Sequence, residues 1–405
     1  MQPLLLSHFT ATSAIGHGLA PTLAALRAQH SGLTPCDFES AVLDTWIGRV
    51  SGVDDEILPA DLQAFDCRNN RLAQLALRQD GFLAAVQAVA ARVGPQRVGV
   101  FLGTSTAGIL QTELAYQHRN NNDNNNDSAT GALPADFCYP QTHNPYSVAD
   151  FVRRSCALTG LAMAVSTACS SSAKVFASAQ RMLAAGLIDA AVVGGVDTLC
   201  LTTLYGFNSL GLLSSSPCRP FDAARSGISI GEGAAFVLLE RTPEVLPANA
   251  VLLLGVGESS DAHHMSSPHP EGLGARLAMQ QALRSAGLQP GEIDYINLHG
   301  TATQSNDAAE GLAVQTVFGA HTTPCSSTKG ATGHTLGAAG GLEAVFCALA
   351  LQNGLLPGGV HTEVLDARLA VDYRLHSQNQ PLRRVLSNSF GFGGTNCSLI
   401  LGTVG

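Results

Sequence analysis

Short apolar runs alternate with segments whose apolar residues recur every three or four positions, and the alternation continues along most of the chain. Leu4 to Thr10 reads as a first strand, ending in the turn Thr12-Ser13-Ala14-Ile15-Gly16 that opens a helix through Leu26. Residues 31 to 66 are irregular, punctuated by Pro35, Gly52 and Pro59. Arg71 to Val93 carries a helical pattern broken at Gly81, and Arg97 to Gly103 predicts a strand that runs into the loop Gly103 to Gly108. Ser147 to Leu158 predicts another helix. An apolar run from Leu161 to Thr167 reads as a buried strand, followed by helix formers from Ala173 to Ala185 and a stop at Gly186. Leu187 to Val196 and Gly233 to Glu240 read as further strands.

The stretch Thr242 to Ala250, with Pro243 and Pro247, reads as a joint, and beyond it the plan repeats. Strands are expected at Val251 to Val256, Ile293 to Leu298, Thr323 to Ser327, Val385 to Ser389 and Ser398 to Leu401. Helices fall at Ala275 to Ser285, stopped by Gly287, and at Gly341 to Gln352. Five strands with their helices on each side of the joint imply a duplicated α/β unit, with halves at residues 1–246 and 247–405.

Composition supports this plan. A chain of 405 residues is long for one core, and 45% hydrophobic content with 13% charged residues and 42 glycines describes a compact globular protein rich in tight turns. A net charge of −9 with no Lys/Arg run excludes a nucleic-acid surface. The ten cysteines are scattered without any CxxC pair, which is neither a zinc framework nor a disulfide framework and fits a reducing compartment. With no basic leader at the N-terminus and no run of about 18 apolar residues, the expectation is a cytoplasmic protein without a membrane span. His118 to Asp127 contains the asparagine-rich run from Asn120, which has no apolar face; it is expected to be a mobile surface loop without chemistry.

Four stretches carry candidate chemistry. Cys169, in Thr167-Ala168-Cys169-Ser170-Ser171, falls at a strand-to-helix junction, where unpaired N–H groups and the helix dipole favour a thiolate. Taken alone, such a cysteine is as readily a small buried hydrophobe. His299, in His299-Gly300-Thr301-Ala302-Thr303, follows a strand, the place where α/β folds build sites. Lys329 and His334 lie in the turn Ser326 to His334. Gly391-Phe392-Gly393-Gly394-Thr395-Asn396 has the glycine density that lets a backbone N–H be aimed into a cavity. One thiol and two imidazoles are the set needed for acyl transfer followed by stabilisation of an enolate. A metal set of His263, His264, His269 and His299 has no helical pairing of ligands, and no metal is expected.

In their order along the chain these motifs resemble the signatures of the β-ketoacyl-ACP synthases, the elongating branch of the thiolase superfamily. The resemblance implies a thiolase-like αβαβα five-layered sandwich of two duplicated halves, forming a homodimer or a heterodimer with a ketosynthase-like chain. It implies that Cys169 takes the acyl group from an acyl carrier protein, and that His299 and His334 stabilise the enolate formed as malonyl loses CO₂. Lys329 and Glu343 would hold the charge environment of the histidines, and the backbone N–H groups of Cys169 and Phe392 would form an oxyanion hole, with Phe392 gating access. Thr301, Thr303 and Ser266 would line the phosphopantetheine tunnel, Thr106 and Ile228 the acyl pocket, Phe390 would also bind substrate, and Asp307 and Glu310 would support the site from behind. No cofactor is implied beyond the phosphopantetheine that arrives on the carrier, and Arg68 and Arg71 are candidates for contacting that acidic protein. The departures at Thr106 and Ile228, where relatives carry other residues, fit a specialised type II polyene or polyketide-like pathway as well as fatty-acid elongation. Two rivals stand beside this reading: a chain-length-factor-like partner subunit, disfavoured by Cys169, and a CoA-dependent thiolase, disfavoured by the lack of a second cysteine in a base-like context.

Overall fold

The apolar runs become the strands of one continuous sheet in a computed structural model that describes residues 1–122, 133–135 and 137–403. In the first half the strands are β1 (Leu4–Ser13), β2 (Val98–Gly103), β3 (Ala162–Val165), β4 (Ala190–Asp197) and β5 (Gly233–Arg241). In the second they are β6 (Val251–Ser260), β7 (Tyr295–Asn297), β8 (Pro324–Ser326), β9 (Arg384–Phe390) and β10 (Thr395–Thr403). Their spatial order is β3-β2-β4-β5-β1 in the first half and β8-β7-β9-β10-β6 in the second, with β1 and β6 antiparallel neighbours. Directions repeat too. β2 is parallel to β3 and β4, and β5 is antiparallel to β4 and β1. Likewise β7 is parallel to β8 and β9, and β10 is antiparallel to β9 and β6. The same order and the same directions, twice over, give the duplicated unit a physical form that sequence spacing alone could only imply.

The helices complete five layers. Among them are α1 (Arg68–Leu77), α2 (Phe82–Val93), α3 (Tyr146–Ser155), α4 (Ser171–Ala184), α5 (Leu201–Ser209), α6 (Leu273–Ala286), α7 (Gln304–Phe318) and α8 (Ala339–Asn353). α4 and α8 pack on each other in the middle, between the two half-sheets, and Phe176, Leu183, Leu342 and Phe346 belong to that central core. α1, α2 and α3 cover the outer face of the first half-sheet, and α6 with α7 covers that of the second. This is the expected αβαβα order.

α8 is apolar on every side because both its faces are buried, so no amphipathic stripe marks it. The 18-residue window Leu336–Asn353 is long and apolar enough, by composition, to cross a membrane, yet 89% of it is buried against the protein's own sheets. Glu343 is the one charged residue of α8, and a carboxylate buried there requires a partner.

Among the described residues, three helices of nine residues or more escaped the sequence pattern. α7 opens on Gln304-Ser305-Asn306-Asp307, which reads as a polar loop, but Asp307 and Glu310 turn inward and are buried. α5 and the helix Ile109–Asn122 have weak periodicity and were not expected. Asn120 to Asn122 thus close a helix rather than open a loop, and 123–127 lie outside the described residues.

Candidate active site

β3 stops at Val165, and six positions later the chain is helical, so the turn must be tight. Ala168 adopts φ 51°, a left-handed value that costs a non-glycine residue about 1 kcal/mol or more. The serines hold it: Ser171 Oγ accepts from Thr167 N at 2.9 Å and donates to Ala168 O at 2.6 Å. Gly103 allows the N-terminus of α4 to sit on β2, since a Cβ there would lie 2.2 Å from Ser172 N. Cys169 is thereby fixed at the mouth of α4, buried, with its side chain facing the second half.

The second half delivers the imidazoles from the C-terminal ends of two adjacent parallel strands. After β7, the His299 and Gly300 N–H groups each donate to the buried Glu310 carboxylate at 2.8 Å. Ala302, at φ 67°, donates its N–H to Asp307 Oδ1 at 3.2 Å, and Asp307 Oδ2 accepts from Phe221 N at 2.8 Å. After β8, the His334 backbone is pinned by its N–H to Ser229 O at 2.7 Å and by Gly231 N to its carbonyl at 2.9 Å.

His334 Nε2 lies 3.0 Å from Cys169 Sγ. One donor atom from each of Cys169, His299 and His334 falls within 4.8 Å of the others, and the two imidazole rings meet edge-on, 5.3 Å apart at 86°. Phe390 stacks obliquely on His299 with centroids 5.8 Å apart. The trio sits in a single cleft. Both polar groups (Ser266, Thr301, Thr303, Asn306) and apolar groups (Phe207, Leu212, Ile228, Phe390, Phe392) line it.

Electrostatics separate the roles. Burial pushes the Cys169 thiol up to about 11, against the N–H of Phe392, the Lys329 charge and the N–H of Cys169 itself, which all favour the thiolate. The resting group is therefore a thiol, and the thiolate expected from the helix dipole is outweighed by desolvation. Burial, then the nearby Lys329 charge, holds His299 and His334 well below the ordinary histidine value, so both are neutral. Among the described residues neither Nδ1 has a hydrogen-bond partner, so neither tautomer is locked and each Nε2 can accept or donate. Behind them Lys329 Nζ is ion-paired with Glu343, both buried, and burial raises Glu343 to about 7. Burial likewise raises Glu310 to about 7.

Two family models cover most of the chain: "Beta-ketoacyl synthase, N-terminal domain" matches residues 51–244, and "Beta-ketoacyl synthase, C-terminal domain" matches residues 250–363. The chain belongs to the β-ketoacyl synthase family. It is 41% identical over 257 residues to a mitochondrial 3-oxoacyl-[acyl-carrier-protein] synthase of Arabidopsis thaliana, an alignment spanning 59% of this chain and 55% of that protein. It is 30% identical over 364 residues to 3-oxoacyl-[acyl-carrier-protein] synthase 2 of Mycobacterium bovis, spanning 84% of each. Among solved structures, the ketosynthase in complex with its chain length factor from Xenorhabdus doucetiae aligns at 39% identity and TM-score 0.88, covering 100% of this chain and 98% of that one. The ishigamide ketosynthase/chain length factor aligns at 27% identity and TM-score 0.90 over the full length of both.

As a β-ketoacyl synthase, the chain brings most of the residues singled out from sequence to one cleft. Cys169, His299, His334, Thr301, Thr303, Ser266, Ile228, Phe390 and Phe392 line it, with Lys329, Glu343, Asp307 and Glu310 buried close behind. Thr106 does not. Its N–H and hydroxyl both donate to Asp197 Oδ1 at 2.8 Å, so its polar atoms are committed to a buried carboxylate rather than to the cleft lining. Arg68 and Arg71 are not a free basic patch either. Arg68 is buried, donating from Nε to Glu232 at 2.8 Å and pairing with Asp54, while Arg71 is clamped on both oxygens of Asp66. The four histidines weighed as a metal set are dispersed: His263 and His269 pair their rings 5.0 Å apart on the 261–269 loop, and His299 lies with His334.

Sequence reasoning missed Phe207, on α5, whose ring lies 5.5 Å from that of Phe392, and Asp261, which ties the glycine-rich tail to the cleft rim. Asp261 Oδ1 accepts from Asn396 Nδ2 at 2.7 Å, and its N–H donates to Gly394 O at 2.8 Å. Asp261 gave no signal in the sequence because its burial is set by the fold, and Phe207 belonged to a helix that the pattern did not show.

Proposed function

We propose that the chain is a β-ketoacyl-[acyl-carrier-protein] synthase that condenses an acyl group held on Cys169 with malonyl carried on an acyl carrier protein. The observation that carries the reading is the convergence of one thiol from residues 1–246 with two neutral imidazoles from residues 247–405 at a single cleft. In the first step the Cys169 thiol passes its proton to His334 Nε2, 3.0 Å away, as sulfur attacks the thioester carbonyl. The oxyanion is met by the N–H groups of Cys169 and Phe392, and the proton leaves with the carrier's phosphopantetheine thiol. In the second step both Nε2 atoms donate to the malonyl thioester oxygen while CO₂ departs. Neutral imidazoles suit this, since each offers one N–H without having to shed a charge. The carbanion then attacks the acyl carbonyl and releases the Cys169 thiolate.

The phosphopantetheine arm is met by polar lining groups, among them the Thr301 and Thr303 hydroxyls 3.0 Å apart, and the acyl chain by apolar ones such as Ile228. A second thiol base, as a thiolase reading requires, finds no support: Cys169 is the only cysteine among the described residues that line the cleft. Ten unpaired thiols support a reducing, cytoplasmic setting. Two similar solved structures are ketosynthase–chain length factor assemblies, which supports a ketosynthase-like partner chain here.

Intact-mass measurement after incubation with acyl carriers tests the reading. The expected result is a gain of one acyl group, absent in Cys169→Ala and released as 3-oxoacyl carrier on adding malonyl carrier. No acylation by any carrier, with or without a partner chain, would overturn it.

A further inference from the structure

Asp197, at the end of β4, is fully buried, and among the described residues no Lys, Arg or His lies within ion-pair distance of it. A lone carboxylate in that setting needs many hydrogen bonds to persist. It has them. Oδ1 accepts from Thr104 Oγ1 at 2.7 Å and from the N–H and hydroxyl of Thr106 at 2.8 Å. Oδ2 accepts from Ser105 Oγ at 2.6 Å and from Gly337 N at 2.5 Å, and Ser105 N is shared between both oxygens at 2.8 and 3.0 Å.

These donors belong to two segments that sequence separates widely. One is the loop after β2, where Ala107 is held at φ 43°. The other is the turn that leads from His334 into α8, where Leu336 is held at φ 52° and its neighbour Gly337 has no room for a side chain: a Cβ would lie 2.7 Å from Asp197 Oδ2. Leu336 packs with Leu110, Leu199, Leu204 and Ile228 in one buried cluster, and Ile228 also lines the cleft.

We propose that Asp197 is a positioning residue for the acyl end of the site: it clamps the 104–106 loop to the Leu336–Gly337 turn and so fixes the apolar cluster behind Ile228. The charge also reaches the nucleophile. Asp197 opposes ionisation of Cys169, which Lys329 favours, while His334 and His299 stand neutral beside the sulfur. The unexpected placement of Thr106 acquires a purpose here, since its hydroxyl is one jaw of the clamp.

The acyl-chain part of this inference rests on the condensing reading, so the experiment uses two independent readouts on the full chain. Acyl loading of Cys169 is measured by intact mass over saturated acyl carriers of increasing length, in wild type and Asp197→Asn. The expected result is a broadened profile, with discrimination against a chain two carbons longer than the best substrate falling about tenfold. Alkylation of Cys169 by iodoacetamide at pH 8.5, which needs no carrier, is expected to run about threefold faster or more once the negative charge is gone. If Asp197→Asn fails to fold, Thr106→Val removes one donor at nearly constant volume and should broaden the same profile. A length profile and an alkylation rate both equal to wild type, with only a lowered Tm, would overturn the proposal. Faster alkylation in a protein that no carrier acylates would keep Asp197 in place and remove the condensing reading instead.

Discussion

The two halves place a turn at the same point of the same topology, after the third strand and before the helix of the middle layer, and they build opposite things there. In the first half the turn is residues 166–170, short enough that Ala168 must be left-handed and Cys169 is presented at the mouth of α4. In the second it is residues 327–338, long enough to bury Lys329 behind the site and return His334 to 3.0 Å from the sulfur. A duplicated fold thus supplies two helix N-termini in one layer, and the difference in turn length decides which holds the nucleophile and which holds the groups that serve it. Burial does the rest: it keeps the thiol protonated and the imidazoles neutral, so charge need appear only when substrate is present.

The comparison can be broken most severely at its short turn. Cys169→Ala should cost condensation at least about 10³-fold and abolish acyl loading, read by product formation and intact mass. On the long side, His334→Ala should slow both loading and condensation, because that ring contacts the sulfur. Rates of each half-reaction, measured separately, check this, with a loss of about 10²–10⁴ in condensation. Lys329→Ala leaves Glu343 buried without its partner and should destabilise the fold by about 3–5 kcal/mol in chemical denaturation, whereas Lys329→Met with Glu343→Leu should recover most of that loss.

A smaller effect concerns pH. With the thiol pushed up to about 11, the thiolate fraction grows as pH rises, so alkylation of Cys169 should accelerate about tenfold per unit from pH 7 to 10. A plateau near pH 8 would mean that the helix end prevails over burial. The smallest effect is expected at Arg71→Glu, which should change the KM for carrier-bound substrate less than about twofold because Arg71 is already paired with Asp66.

How much could be read without coordinates follows from the physics of each element. Strands buried on both faces are continuous apolar runs, so β2, β4 and β5 stood out, and the glycine stops at Gly186 and Gly287 marked helix ends. Cys169, His299 and His334 were legible because their motifs are local. α7 was not, because its first turn is polar and its acids point inward, which inverts the usual pattern. Nor were the fates of Arg68 and Thr106. Whether an arginine faces solvent or Glu232, and whether a threonine faces a cleft or Asp197, is decided by residues more than 90 positions away. Local sequence carries no trace of such partners.

The division of labour between the halves is the central claim, and the His299→Ala protein tests it most directly. That variant is loaded with acyl carrier, then mixed with malonyl carrier, and followed by intact mass. The account expects one acyl group to appear on Cys169 at close to the wild-type rate and to persist after malonyl is added. Failure to load, or release of the acyl group at the wild-type rate, would contradict it.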